Sequence, residues 1–180
     1  MVQVKLRVAS CGLRVGSRAL RIREARRGDA KDFLGLVVAL ANFEKLPPPD
    51  AAARRRLVRD AFGARAKYRL WIAEIRGRVV AYAIFFFTYS SFLARPTLYL
   101  EDIFVHPDAR GCGVATAMMK RLAAEALKNG CGRFEWMVLD WNSPAIRLYR
   151  GLGAEAKKAW LLYRAEGPRL SRLARRATRK

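Results

Sequence analysis

Residues 98–116 read LYLEDIFVHPDARGCGVAT, and this stretch decides the fold. Leu98 to Val105 reads as a buried strand. His106 to Cys112 is a polar, glycine-containing connection, and a helix follows directly, running to about Asn129 with Asn129-Gly130 as its stop signal. Glycines at 111 and 113 let the main chain approach a ligand and take positive φ. The first N–H groups of the helix have no partner within it, and the macrodipole adds partial positive charge there. A strand, a glycine-rich turn and a helix start together make a cradle for a diphosphate, with Arg110 as a cation at its mouth. A dinucleotide fingerprint would place GxGxxG after the first strand, with an acidic residue about 20 positions on. Here the loop comes late, after a hairpin, which argues against that reading.

Working outward, Leu20 to Ala25 reads as a first strand. Gly28-Asp29 caps a helix through about Asn42, with Phe33, Leu36, Val37 and Leu40 on one face. Leu46 to Pro49 breaks it, and Asp50 caps a second helix, Ala51 to Phe62. Tyr68 to Ile75 and Arg78 to Thr88 form a hairpin around Arg76-Gly77. After the central stretch come a strand at Phe134 to Leu139, a short helix at Ser143 to Leu152 and a last strand at Ala154 to Arg164. Hairpins combined with a helical crossover predict an α/β fold, a mixed central sheet with helices on both faces. The expected organisation is a basic arm over 1–19, one domain over 20–165 and a basic tail over 166–180, as a helix or without fixed structure.

Of 180 residues, 52% are hydrophobic and 28% charged, a globular composition. No apolar run approaches the roughly 20 residues of a membrane span, and Arg7, Arg14 and Arg18 interrupt any signal-peptide core. Three cysteines without a CxxC suit a reducing compartment, so a cytoplasmic protein is expected. The only histidine, His106, leaves no His-rich metal site, and no metal is expected. The net charge is +21. Residues 1–19 contribute four basic and no acidic side chains, and 166–180 six basic and one acidic. Such charge favours anionic partners, including nonspecific nucleic-acid contact through the tails. Arginine outnumbers lysine 27 to 9, a bias that a GC-rich genome also produces.

Arg110-x-x-Gly113-x-Ala115 resembles the Q/R-x-x-G-x-G/A motif of the GCN5-related N-acetyltransferase (GNAT) superfamily. Trp141-Asn142-Ser143-Pro144-Ala145-Ile146-Arg147-Leu148-Tyr149, followed by Gly153-Ala154, is similar to that superfamily's closing motif. The resemblance covers about residues 20–165 and implies a splayed sheet and acetyl-CoA as co-substrate. Leu40 to Glu44, Phe86 to Tyr89 and the YLEDIFV strand are similar to the diamine (spermidine/spermine) and thialysine acetyltransferase branch. That branch implies a small cationic amine as acceptor and a homodimer.

The resemblance also implies roles. Main-chain groups of Ile103, Phe104 and Val105 would pair with the pantetheine arm. Arg110, Gly111, Cys112, Gly113, Val114, Ala115 and Thr116 would hold the diphosphate. Asn142 would bind the pantetheine or orient the following helix, and Tyr149 would protonate the departing thiolate. Phe43 and Glu44 would line the acceptor side, where Glu101 would bind the amine and relay its proton. An alkyl ammonium has a pKa of about 10.4, so only about one part in a thousand is nucleophilic at pH 7 and the site must accept a proton. Strand alternation turns Glu101 and Asp102 to opposite faces, and Glu101 is the one expected in the cleft. Direct transfer in a ternary complex is implied, without a covalent role for Cys112. A peptide or protein amine is the alternative acceptor, and a basic nucleic-acid-associated protein without catalysis is the second alternative.

Overall fold

Five strands lie side by side in chain order: β1 (Leu20–Glu24), β2 (Arg69–Ile75), β3 (Arg78–Ser90), β4 (Arg95–Val105) and β5 (Arg133–Trp136). The computed structural model describes residues 20–177, and the expected arm over 1–19 lies outside them. The chain divides into two compact units after Trp141, and each is described by itself. In the first unit β1 to β4 are antiparallel neighbours, while β5 runs parallel to β4. Parallel neighbours need a crossover, supplied by helix α3 (Val114–Lys128).

Helices α1 (Ala30–Phe43) and α2 (Ala51–Phe62) cover one face of the sheet. Phe33 and Leu36 of α1 pack with Leu70 and Ile72 of β2, Tyr82 and Ile84 of β3 and Phe104 of β4. The Phe33 and Tyr82 rings meet edge to face at 5.2 Å. Each such side chain, fully buried, contributes about 1.5–3 kcal/mol. Alternation turns Trp71 and Phe85 to the other face, where α3 lies. Arg121 of α3 sits over the Trp71 ring at 5.6 Å, and Arg69 pairs with Glu125 at 2.6 Å. Helices therefore flank both faces, as the connections predict.

Asp50 caps α2 as expected, its Oδ1 accepting the Ala53 N–H at 2.6 Å. Asp29 stands at the N-cap position of α1, but its carboxylate makes no side-chain bond to that helix. It accepts the Arg26 N–H at 2.6 Å and a forked pair from Arg23 at 2.7 and 2.9 Å. Arg23 also reaches Glu74, which ties β1 to β2. The forked bond to Arg23 holds the Asp29 carboxyl below its ordinary range.

Two expected strands differ. β4 starts at Arg95, three residues early, and β5 ends at Trp136 rather than Leu139. The second unit holds α4 (Ser143–Gly151) and α5 (Pro168–Ala177), and no strand forms over 154–164. Trp160, Leu161, Leu162 and Tyr163 are between 64% and 87% exposed. Strand preference describes how well a side chain fits a pleated, half-buried surface, and without a ladder partner it fixes no strand.

Asp29→Ala is expected to cost about 1–3 kcal/mol of unfolding free energy at neutral pH, through the buried charge it leaves on Arg23. The folded-state pKa of Asp29 is depressed. The stabilisation is therefore full above the ordinary carboxylate range and fades as pH falls through the folded value. Urea denaturation of both proteins across a pH series should show the two curves converging in acid.

Candidate active site

β4 is longer than its neighbour on one side. It pairs with β3 along Arg95 to Val105, but with β5 only along Thr97 to Leu100. Beyond Leu100 the β5-side edge of β4 has no strand beside it among the described residues. The His106 N–H donates to Val80 O at 2.8 Å, toward β3. By alternation the main-chain groups of Phe104 turn the same way, and those of Ile103 and Val105 face the open edge. Ile103 thus turns both main-chain groups to that edge and Val105 its N–H, the Val105 carbonyl being taken by Arg110. The Phe104 side chain is in the core beneath α1.

The glycine turn follows. Gly111 and Gly113 have φ of 75° and 78°, and a Cβ at either would stand in open space. Glycine is demanded here by backbone conformation, and it leaves the main chain bare. The Ala117 N–H donates to Gly113 O at 2.9 Å, which leaves the N–H groups of Val114, Ala115 and Thr116 as the outward donors of the helix start. Arg110 is fixed from three sides. Its Nε donates to Val105 O at 3.0 Å, and its guanidinium lies 4.9 Å from the Phe43 ring and 5.4 Å from the Phe104 ring. Burial lowers its pKa, yet guanidinium stays charged in proteins. Phe43 in turn packs on Trp141 at 5.5 Å. His106 shapes the turn, its Nδ1 accepting the Asp108 N–H at 3.4 Å.

A second feature lies at the bulge between β3 and β4. Ile84 pairs with Asp102 and Phe85 with Leu100, so Glu101 is the extra residue. A bulge re-aims side chains and interrupts alternation. Glu101 is exposed and Asp102 half-buried, and with a bulge between them and Leu100 strict alternation alone does not set their faces. Burial, then the charges of Glu101 and Glu44, pushes the Asp102 carboxyl up to about 6. Glu101 and Glu44 are therefore near enough for their charges to act on Asp102. Among the described residues no Lys or Arg lies within salt-bridge distance of any of them. Sequence reasoning names Asp102 with Glu101 and Glu44 as local carboxylates but sets only Glu101 and Glu44 on the acceptor side, and no local signal marks a bulge. No cluster of three or more metal-ligating side chains occurs among the described residues, and no described helix is long and apolar enough to cross a membrane.

In the second unit, Asn142 caps α4, its Oδ1 accepting the Ala145 N–H at 3.4 Å with proline in the first turn. The helix closes through Gly153 (φ 83°), with Gly153 N–H to Arg150 O and Ala154 N–H to Tyr149 O, both at 3.0 Å. That double bond pattern is a Schellman stop. It fixes the helix that carries Tyr149. Burial raises the Tyr149 phenol above its ordinary pKa, so the hydroxyl keeps its proton through the neutral range.

Comparison with known proteins accords with this geometry. The family model described as acetyltransferase (GNAT) family matches residues 37–154. The thialysine N-epsilon-acetyltransferase of Mus musculus is 39% identical over 167 residues, covering 87% of this chain and 98% of that protein. The spermidine/spermine N(1)-acetyltransferase-like protein 1 of Homo sapiens is 31% identical over 154 residues, 80% of this chain and 22% of that longer protein. An integron cassette protein of V. cholerae superposes with a TM-score of 0.74 at 24% identity, covering 87% of this chain and 98% of its own, and supports the fold alone. A turn that exposes main-chain donors, a strand edge left open beside it and matches of this extent lead to one conclusion: the chain is an N-acetyltransferase and belongs to the acetyltransferase (GNAT) family.

Proposed function

We propose that the protein acetylates a primary amine of a small cationic acceptor, of the diamine, polyamine or lysine-like class, by direct transfer within a ternary complex. Members of the family use acetyl-CoA, which supplies an acyl thioester activated toward amines. The residues present fit it. The bare main chain at Gly111 and Gly113, the N–H groups of Val114 to Thr116 and Arg110 suit the diphosphate, with Cys112 contributing its place in the turn. Ile103 and Val105 offer strand-like partners for the pantetheine amides. On this reading Asn142 seats the helix bearing Tyr149, and Tyr149 holds the proton that the leaving sulfur needs.

The observation that carries the acceptor class is electrostatic. The chain has 36 basic residues and 15 acidic ones. Even so, burial, and after it the charges of Glu101 and Glu44, pushes the Asp102 carboxyl up to about 6, and no described Lys or Arg pairs with any of the three. A group of carboxylates held that way is favourable only if a cation from outside completes it. A protonated diamine is such a cation, and Glu101 is placed to receive it and accept its proton through water. Phe43, at the end of α1 beside Glu44, supplies the apolar wall. The relatives named for thialysine and spermidine/spermine acetylation support the same class.

A protein amine is the second reading. It draws on α5, where Arg169, Arg172 and Arg175 recur at three-residue spacing, a pattern suited to an acidic or nucleic-acid-bound partner. Homodimerisation and a cytoplasmic location belong to the first reading, through resemblance to the small-amine branch. A screen of acetyl-CoA consumption over diamines, polyamines, lysine analogues and basic peptides, read as thiol release, separates the two. Preference for a peptide over every diamine would reject the first reading.

Tyr149→Phe is expected to lower kcat by about 100-fold or more, the usual scale for general acid catalysis, with CoA affinity by calorimetry within about twofold of wild type. Unchanged turnover would remove Tyr149 from the acid role. Glu101→Gln should raise KM for a diamine about tenfold, equivalent to about 1.4 kcal/mol, and leave KM for acetyl-CoA unchanged. Equal effects on both constants would count against an acceptor-side position.

A further inference from the structure

Tyr82 of β3 lies within the core cluster beneath α1 and is 0% exposed. Its ring meets Phe33 at 5.2 Å and Phe104 at 6.5 Å, as a phenylalanine there would. Its hydroxyl, however, is sealed from solvent and makes no hydrogen bond of full geometry, although Asp102 stands close enough to act on it. An unpaired buried hydroxyl costs stability that phenylalanine would not, so its presence needs a reason. The charge acting most strongly on it is that of Asp102, followed by Glu44. Ile84 is opposite Asp102 in the ladder and Tyr82 opposite Phe104, so both residues belong to the stretch beside the bulge.

We propose that Tyr82 is a positioning residue: its hydroxyl turns to donate to Asp102, holds that side chain as a carboxylate facing the acceptor pocket, and so sets the lowest pH at which a cationic amine binds. The proposal rests on the acceptor reading above and adds a residue to it. The groups facing Asp102 can be named by element. Glu101 on β4 and Glu44 at the end of α1 oppose its ionisation, and Tyr82 on β3 favours it. Tyr68, ahead of β2, also feels Asp102, together with Asp60 of α2. Its own hydroxyl is already committed, donating to Leu57 O at 2.7 Å. Tyr82 is therefore the donor still free to turn toward the carboxylate.

The sign follows. Burial and two like charges push Asp102 up to about 6, against the pull of the Tyr82 hydroxyl. Removing that hydroxyl raises the value further, so the carboxylate is lost at a higher pH. A bound cation acts the other way, and by linkage its affinity falls as Asp102 protonates.

The test uses the full chain with ¹³C-carboxyl-labelled aspartate, the Asp102 resonance being assigned with Asp102→Asn. Wild type and Tyr82→Phe are titrated by NMR with and without saturating 1,4-diaminobutane. The expected midpoint is about 6 in wild type and about one pH unit higher in Tyr82→Phe, the scale of one hydrogen bond to a charged group. The diamine should lower the wild-type midpoint. The acidic limb of kcat/KM for the diamine should move up with the variant's midpoint, while KM for acetyl-CoA stays put. Equal midpoints in the two proteins would overturn the Tyr82–Asp102 pair, and this comparison needs no turnover. A wild-type midpoint indifferent to the diamine would overturn the link to acceptor binding. Failure of the acceptor class itself would show separately, as thiol release with peptides and none with diamines.

Discussion

Everything in the first unit turns on the unequal pairing of β4. On one edge its ladder to β3 runs through Val105; on the other its ladder to β5 stops at Leu100. Had β5 continued, the main-chain groups of Ile103 and Val105 would be spent on another strand, and no edge would remain for a ligand's amides. The stretch that loses its neighbour also leads into the glycine turn. One structural decision therefore supplies a strand edge and a helix start in direct succession. Arg110 braces the junction by donating to Val105 O, between two aromatic rings. A lysine would keep the charge there but lose the planar stacking and the directional Nε bond.

The same strand organises the charge. A protein of +21 repels free cationic amines in bulk. Within a Debye length of about 8 Å at physiological ionic strength, local groups outweigh the distant surface field. Glu101, Asp102 and Glu44 are local, and the bulge at Glu101 lets adjacent carboxylates on one strand act on the same space. The aromatic and aliphatic cluster beneath α1 supplies the low-polarity surroundings that make those charges count.

Elements were legible in the sequence where local chemistry sets them. Asp50 with its following helix, the hairpin around Arg76-Gly77 and the glycine turn all depend on near neighbours, and they stand within a few residues of their expected places. What depends on distant partners was not. The run Ala154 to Arg164 has strand composition but no strand, because a ladder needs a second chain segment that composition does not reveal. Asp29 has the right position and a different purpose, since Arg23 outcompetes the helix for its carboxylate. The bulge depends on the register of two strands, which a two-residue period along one strand does not reveal. Tyr82 sits inside the apolar run Val79 to Phe87, where its hydroxyl is indistinguishable from packing until Asp102 is placed beside it.

The division of labour between backbone and side chains has a consequence for how such a protein diverges. The diphosphate cradle is made of main-chain donors whose geometry requires glycine at two positions and little else. The fold itself tolerates drift, with a TM-score of 0.74 at only 24% identity. The acceptor pocket is the reverse case. On the proposed reading its character comes from three carboxylates and one buried hydroxyl, and a single substitution among them would change the charge or the protonation that an amine meets. On the proposed reading, co-substrate recognition would be the more tolerant of mutation, Arg110 apart, and acceptor choice the more sensitive. Selection on the acceptor can act on β3, β4 and the end of α1 without disturbing the cradle.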